Sequence, residues 1–174
     1  MGLSPEEIMH MAHGEMVEVE PTTSIPLLDL VERRYPECSP LEIVKYPFYV
    51  ALLLKKQNMC RIRLPMYLQM ESLQRILAEE NEMVNEYSYV PAHFFSLAHV
   101  LLNNCYNTED VEASKAMVEK IKEIRLRKTL QGIKCLDGSA LNLNNITILE
   151  FNEIKELVLN AINTGKKIMN GYDK

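Results

Sequence analysis

The apolar residues of this chain change their spacing near residue 65, and that change limits the folds open to it. Glu15-Met16-Val17-Glu18-Val19-Glu20 alternates acidic and apolar side chains, the two-residue period of a half-buried strand, and Pro21 ends the run. After Met66 apolar side chains recur every three or four positions, the period of helices. The order reads as α+β, mostly α. A small β-rich domain with a short N-terminal helix is expected over residues 1–64, and an α-helical bundle domain over residues 65–174.

The front of the chain carries local signals. Ser4-Pro5-Glu6-Glu7 predicts a helix from Pro5 to His13, with Ser4 as cap, Glu7 closing a capping box and Gly14 as stop. Ile25–Val31 and Leu41–Tyr46 are further strand candidates, separated by Pro36 and Pro40. This module of about 45 residues is too small to be stable alone. Pro47 opens a helix that ends at Lys55-Lys56, and Arg61–Pro65 alternates again as a short strand or extended link.

Four helices are predicted beyond it. The first spans Met70 to Glu86, with a stripe of Met70, Leu73, Ile76, Leu77 and Met83/Val84. Ala92 to Asn103 is apolar on every side, through Phe94, Phe95, Leu97, Ala98, Val100, Leu101 and Leu102. Asn107 or Thr108 is expected to cap a helix of Glu109 to Lys134, striped by Val111, Val118, Ile121, Ile124 and Leu130. Its outer face is read as basic: Lys115, Lys120, Lys122, Arg125, Arg127, Lys128 and Lys134. Gly138 and Asn142 to Asn145 mark a loop. The last helix runs from Thr147 to Met169, with Ile148, Phe151, Ile154, Leu157, Val158, Ala161 and Ile162 spread over more than one face. The helices 92–105 and 147–169 carry more apolar surface than one small bundle buries, which marks a partner interface.

Charge and motifs narrow the functions. The net charge is −5, and residues 1–45 alone hold nine acids and three bases. An acidic front with a near-neutral remainder is not a strong nucleic-acid binder by charge. No run of roughly 18 apolar residues occurs, so no membrane span is expected. The first sixteen residues carry Glu6, Glu7 and Glu15 and no Lys or Arg, so a soluble intracellular protein is expected rather than one with a leader peptide. Cys38, Cys60, Cys105 and Cys135 form no C-x-x-C pair, so they read as small core residues in a reducing compartment. His10 and His13 lack a third nearby ligand, and His93 and His99 face different ways, so all four read as surface or packing residues. No activated nucleophile and no phosphate-cradling glycine loop is visible, so no catalytic, cofactor or metal residue is nominated. Asn145-Ile146-Thr147 reads as a turn and helix cap. On residues alone the chain is a helical interaction subunit, not an enzyme. A second reading remains beside it: an independent nucleic-acid-binding module using the basic face of helix 109–134. Glu112, Glu119 and Glu123 within pairing reach, and the lack of interleaved aromatics, weigh against that reading.

Residues 46–65 add something more specific. Tyr46-Pro47-Phe48-Tyr49-Val50-Ala51-Leu52-Leu53-Leu54-Lys55-Lys56-Gln57-Asn58-Met59-Cys60-Arg61-Ile62-Arg63-Leu64-Pro65 resembles the central signature of the GINS complex subunit 2 family. That signature has a Pro-led aromatic helix ending in Lys or Arg, then Cys-basic-aliphatic and a proline before the next helix. Tyr49 stands where the family usually has Trp, and this chain has no Trp. The helix 70–86, the Pro91-led helix, the basic step Arg125 to Lys128 and Asn145-Ile146-Thr147-Ile148-Leu149-Glu150-Phe151-Asn152 resemble the family as well. The resemblance runs collinearly over residues 8–170.

The resemblance implies a β-rich domain followed by a helical one. It implies a non-catalytic structural subunit of a nuclear heterotetramer, with three other GINS subunits as partners. Through the assembled complex it implies the MCM helicase ring and cell-division-cycle protein 45, as the replicative DNA helicase, with DNA contact indirect and no membrane. Lys55, Lys56, Arg61 and Arg63 beside the domain junction, Phe94, Phe95 and Leu101, Arg125, and Phe151 and Leu157 are the candidate partner residues.

Overall fold

The computed structural model describes residues 3–31, 33–106, 110–134 and 144–172, and gives only the backbone at 134, 161, 162 and 164–172. The expected starts at Asn107, Thr108 and Glu109, Cys135, the loop from Gly138 to Leu143, and the Lys134, Ala161 and Ile162 side chains lie outside this description. Among the described residues the expected order holds: a small antiparallel sheet precedes a set of helices.

Helix α1 (Pro5–Ala12) starts as its sequence dictates. The Glu7 amide donates to Ser4 Oγ at 3.2 Å, and the Ser4 amide donates to Glu7 Oε2 at 2.7 Å. Strand β1 (Met16–Pro21) follows and buries Val17, Val19 and Pro21 on alternate positions. It is the centre of a three-stranded antiparallel sheet, between β4 (Val44–Pro47) and β5 (Cys60–Ile62), with Val17 opposite Tyr46 and Val19 opposite Ile62. The two longer strand candidates are shorter than expected. Ile25–Val31 contributes β2 (Leu28–Asp29), paired with β3 (Arg34–Tyr35), and one bridge from Ile25 to Cys38. Leu41 adopts a left-handed backbone (φ 66°), so the second candidate pairs only from Val44.

Helix α2 (Phe48–Lys56) closes on Asn58, which takes the left-handed position (φ 58°). The Met59 amide donates to the Leu54 carbonyl and the Asn58 amide to the Lys55 carbonyl, the paired bonds of a Schellman stop.

A 3-10 turn at Met66–Leu68 leads into α3 (Met70–Glu82). That helix ends four residues before the expected Glu86, and Met83 and Val84 are exposed rather than in its stripe. The chain turns there because Ser88, on the return loop, donates through both amide and hydroxyl to Glu80 Oε1 (3.0 and 2.8 Å). Helix α4 (Phe94–Asn104) packs against α1 and against α5 (Val111–Lys134). Asp110 opens α5 by accepting the Ala113 amide at 2.9 Å. Helix α6 (Ile148–Tyr172) touches α1 and α5.

One apolar core runs through sheet and helices alike. It joins Val19, Phe48 and Ile62 to Leu73, Phe94, Leu101 and Ile121. The Tyr106 amide donates to the Ile62 carbonyl at 3.2 Å, stitching the end of α4 to the sheet. The expected surplus of apolar surface on α4 is therefore corrected. Phe94, Phe95, Leu97, Ala98, Leu101 and Leu102 are all buried within this chain, because α4 is its central helix.

Candidate partner interface

The basic residues beside the junction divide into fixed and free ones. Lys55 is half-buried, and its ammonium donates to the Asn104 backbone carbonyl at 2.8 Å and to Asn104 Oδ1 at 2.9 Å. A cation on the last carbonyls of α4 is electrostatically favoured, so Lys55 clamps α2 to α4. Lys56, one position on, is exposed. Arg61 lies over the Tyr106 ring, 5.8 Å from its centroid, and Arg63 faces Glu18 at 3.6 Å, with Lys45 on the same carboxylate at 3.8 Å. These exposed pairs contribute little stability.

The expected outer basic face of α5 is corrected at one position, since Lys120 and Arg127 are exposed and Lys115, Lys122 and Lys128 partly so. Arg125 is 0% exposed. Val118 and Ile121 of the expected stripe are buried, but the inward row is Ser114, Val118, Ile121, Arg125 and Thr129, with Arg125 and Thr129 in place of Ile124 and Leu130, and Leu130 is exposed. Three of those five residues are polar, which hid the row from an apolar pattern. Of the other described bases, Lys115 pairs with Glu112, Arg127 with Glu123, and Lys122 with Glu153 of α6. Acids therefore interrupt the described bases of this face, while Lys120 is exposed.

Arg125 sits at the meeting point of α3, α5, α6 and the 85–91 loop. Its Nε and Nη2 donate to the two oxygens of Glu150, at 2.7 and 3.0 Å, a bidentate pair. Nη1 donates to Glu80 Oε1 at 2.7 Å and to the Ser88 carbonyl at 3.1 Å, and Nη2 also reaches the Asn145 carbonyl at 2.7 Å. The rings of Tyr87 and Phe95 flank the guanidinium at 4.9 and 5.8 Å. Lys128 donates to the second oxygen of Glu80 and to the Glu86 carbonyl. Two cations thus face two carboxylates out of water. Burial alone would raise the Glu80 carboxyl, but the bonds from Lys128 and Ser88 and the charge of Arg125 outweigh it and hold the group below its usual range. Burial would likewise lower Arg125, but Glu150 and Glu80 reverse that and raise it.

Glu80 and Glu150 are the partners of Arg125 that reasoning from sequence missed, and Asn145, expected as part of a turn, adds its carbonyl. Glu80 continues the buried row Leu73, Ile76 of α3, as Arg125 continues Val118, Ile121 of α5. An acid and a base, each in the register of a core position, are the signal that could have paired them. Asn145 takes a left-handed backbone (φ 63°), which turns its carbonyl to Arg125, while its side chain donates to the Tyr87 carbonyl at 3.1 Å. Thr147 and Glu150 form the expected cap of α6: Glu150 Oε2 accepts the Thr147 amide (2.9 Å) and hydroxyl (2.8 Å).

The remaining candidates lie on α6. Phe151 is 46% exposed and Leu157 50% exposed, on the two sides of the buried Ile154. Tyr49 and Leu53 of α2 are one turn apart and also exposed. The histidines behave as packing and surface residues: His13 meets the edge of Phe48, His99 binds Glu119 at 2.7 Å, and His93 is buried 3.8 Å from Glu15. Burial pushes the thiol of Cys60 up to about 11 and that of Cys105 up to about 12, away from reactivity. No helix among the described residues is long and apolar enough to cross a membrane.

Comparison with known proteins matches the two parts separately. Residues 4–63 match the family model described as PSF2 N-terminal domain, and residues 67–169 that of the GINS complex protein helical bundle domain. The chain is 61% identical over 168 residues to the probable DNA replication complex GINS protein PSF2 of Encephalitozoon cuniculi, covering 97% of this chain and 96% of that one. It is 32% identical over 171 residues to the DNA replication complex GINS protein psf2 of Schizosaccharomyces pombe, covering 97% and 92%. With the Saccharomyces cerevisiae PSF2 protein the identity is 24% over 184 residues, covering 95% and 86%.

Proposed function

This chain belongs to the PSF2 family of GINS complex proteins, and from that premise we propose that it is a non-catalytic structural subunit of a four-subunit GINS assembly in the nucleus. In this reading it joins three other GINS subunits. The assembly then binds the MCM ring and cell-division-cycle protein 45 in the replicative helicase, and DNA contact is indirect.

The observation that carries the proposal is the distribution of apolar surface once the core is full. The sheet, α3, α4 and α5 share one core, and α6 keeps Phe151, Leu157 and Leu159 exposed beside its buried Ile154. An apolar arc wider than its own contact suits burial against a neighbouring helical subunit. We place the partner surface on Phe151 and Leu157 of α6, with Lys56 and Arg61 as a charged flank near α2. Phe94, Phe95, Leu101 and Arg125 support it from inside.

Co-expression with the other three GINS subunits of the same organism tests the reading. One co-eluting four-component species is expected, and it should dissociate when Phe151 and Leu157 are both changed to Asp. A chain that elutes as a monomer in the presence of the other three overturns the proposal.

A further inference from the structure

The hold on α6 is concentrated in its first turn. There Glu150 binds Arg125 through both oxygens, Thr147 and Glu150 cap each other, the Asn145 carbonyl accepts from Arg125, and the Ile148 amide donates to the Ala92 carbonyl at 3.1 Å. Farther along the helix the contact thins. Of the side chains from 151 to 160, Ile154 alone is buried. Polar ties continue outside the core, from Lys122 to Glu153 at 3.0 Å and from Asn152 Nδ2 to the Leu3 carbonyl at 2.8 Å. Exposed polar ties of this kind are individually weak.

The charge cluster is built unequally around this turn. If Glu150 leaves, Arg125 keeps Glu80, the Ser88 carbonyl and the faces of Tyr87 and Phe95, all of them supplied by segments before α6. If Arg125 is lost, Glu150 loses its cation, while Glu80 keeps Lys128 and Ser88. Opening the Arg125–Glu150 pair therefore leaves the rest of the cluster in place. A cavity of about 260 Å³, lined by Asn85, Glu86, Tyr87, Asn144 and Asn145, lies beside the left-handed turn that precedes the helix.

We propose that α6 is a latched arm. The Arg125–Glu150 pair fixes its first turn, residues 151–160 bury only Ile154 against the body, and opening the pair detaches the arm while the sheet and α2 to α5 stay folded. The device sets where the apolar residues of α6 point, so it governs the presentation of that surface independently of what covers it.

Hydrogen exchange on the full-length chain reads this directly. In Glu150→Gln, which keeps size and polarity but removes the charge, amides of residues 151–160 should exchange about tenfold faster or more, while α1, β1 and α2 keep their protection. Thr147→Ala should move the same segment by less. Unchanged exchange of α6 in Glu150→Gln overturns the proposal. So does an equal loss of protection along the whole chain, because the pair would then be part of the global core and not a latch.

Discussion

The sheet with α1 and α2, and the meeting of α3, α5 and α6, both bury side chains but are held by different forces. Around the sheet the buried side chains include Val17, Val19, Phe48, Ala51 and Ile62, which need only to be apolar and of the right volume. Around Arg125 the buried side chains are Glu80, Ser88, Thr129, Thr147 and Glu150, each with a named partner. Apolar packing degrades by degrees, since each lost methylene removes its own small share. A buried ionic cluster fails in one step, since a missing member strands an opposite charge out of water. The first region should tolerate substitution, and the second should not.

The sharpest way to break this contrast is Arg125→Met. It fills similar volume but leaves Glu150 without a cation and Glu80 with Lys128 and Ser88 alone, and should cost about 3–5 kcal/mol in urea unfolding. A loss below that of an ordinary core truncation would mean that the cluster is solvated and the comparison false. Acid probes the same site. Glu80 is held below its ordinary pKa in the folded chain, so its contribution is full above the unfolded carboxylate value and is lost as pH falls through the folded one. Stability measured down the acid range should fall, and Glu80→Gln, already weakened at neutral pH, should fall less steeply.

Next in size is the apolar region's own truncation. Ile62→Ala removes a fully buried side chain from the last strand of the sheet and should cost about 3 kcal/mol, with Ile62→Val costing about 1 kcal/mol. That graded series is what the Arg125 site should lack. If Ile62→Val proves as damaging as Ile62→Ala, the sheet is as exacting as the cluster.

The same difference decided what could be read from the chain beforehand. The capping box at Ser4 and Glu7, the alternation of β1 and the cap at Thr147 are local rules written in adjacent residues, and the structure follows them. The phase of α5 is not local. It depends on Arg125 facing inward, which makes sense only beside Glu80, forty-five residues earlier, and Glu150, twenty-five residues later. The greasy character of α4 was legible, but whether it faced a partner or its own chain depended on the sheet stitched to its far end through Tyr106. The exposed residues of α6 were legible as apolar, and their exposure goes with Ile154 being the one buried side chain of residues 151–160.

A third test is Thr147→Ala, which removes one hydroxyl from the α6 cap. Its expected cost is about 1 kcal/mol by urea unfolding, the size of an ordinary cap and well below the Arg125 effect. A cost matching Arg125→Met would mean that the cap and the ion pair act as one unit.

The smallest effect separates structure from surface most cleanly. Lys55 and Lys56 are adjacent, and both were candidates for a partner contact. Lys55 is spent on the end of α4, so Lys55→Glu should lower stability, by about 1 kcal/mol once partial solvent screening is allowed for. Lys56 is exposed, so Lys56→Glu should leave stability within about 0.5 kcal/mol of the parent. Assembly with the other subunits then becomes interpretable. Weaker co-purification of Lys56→Glu, with unfolding unchanged, assigns that weakening to the surface beside α2. If only Lys55→Glu weakens assembly, the effect runs through the α2–α4 clamp, and the charged flank plays no part in partner contact.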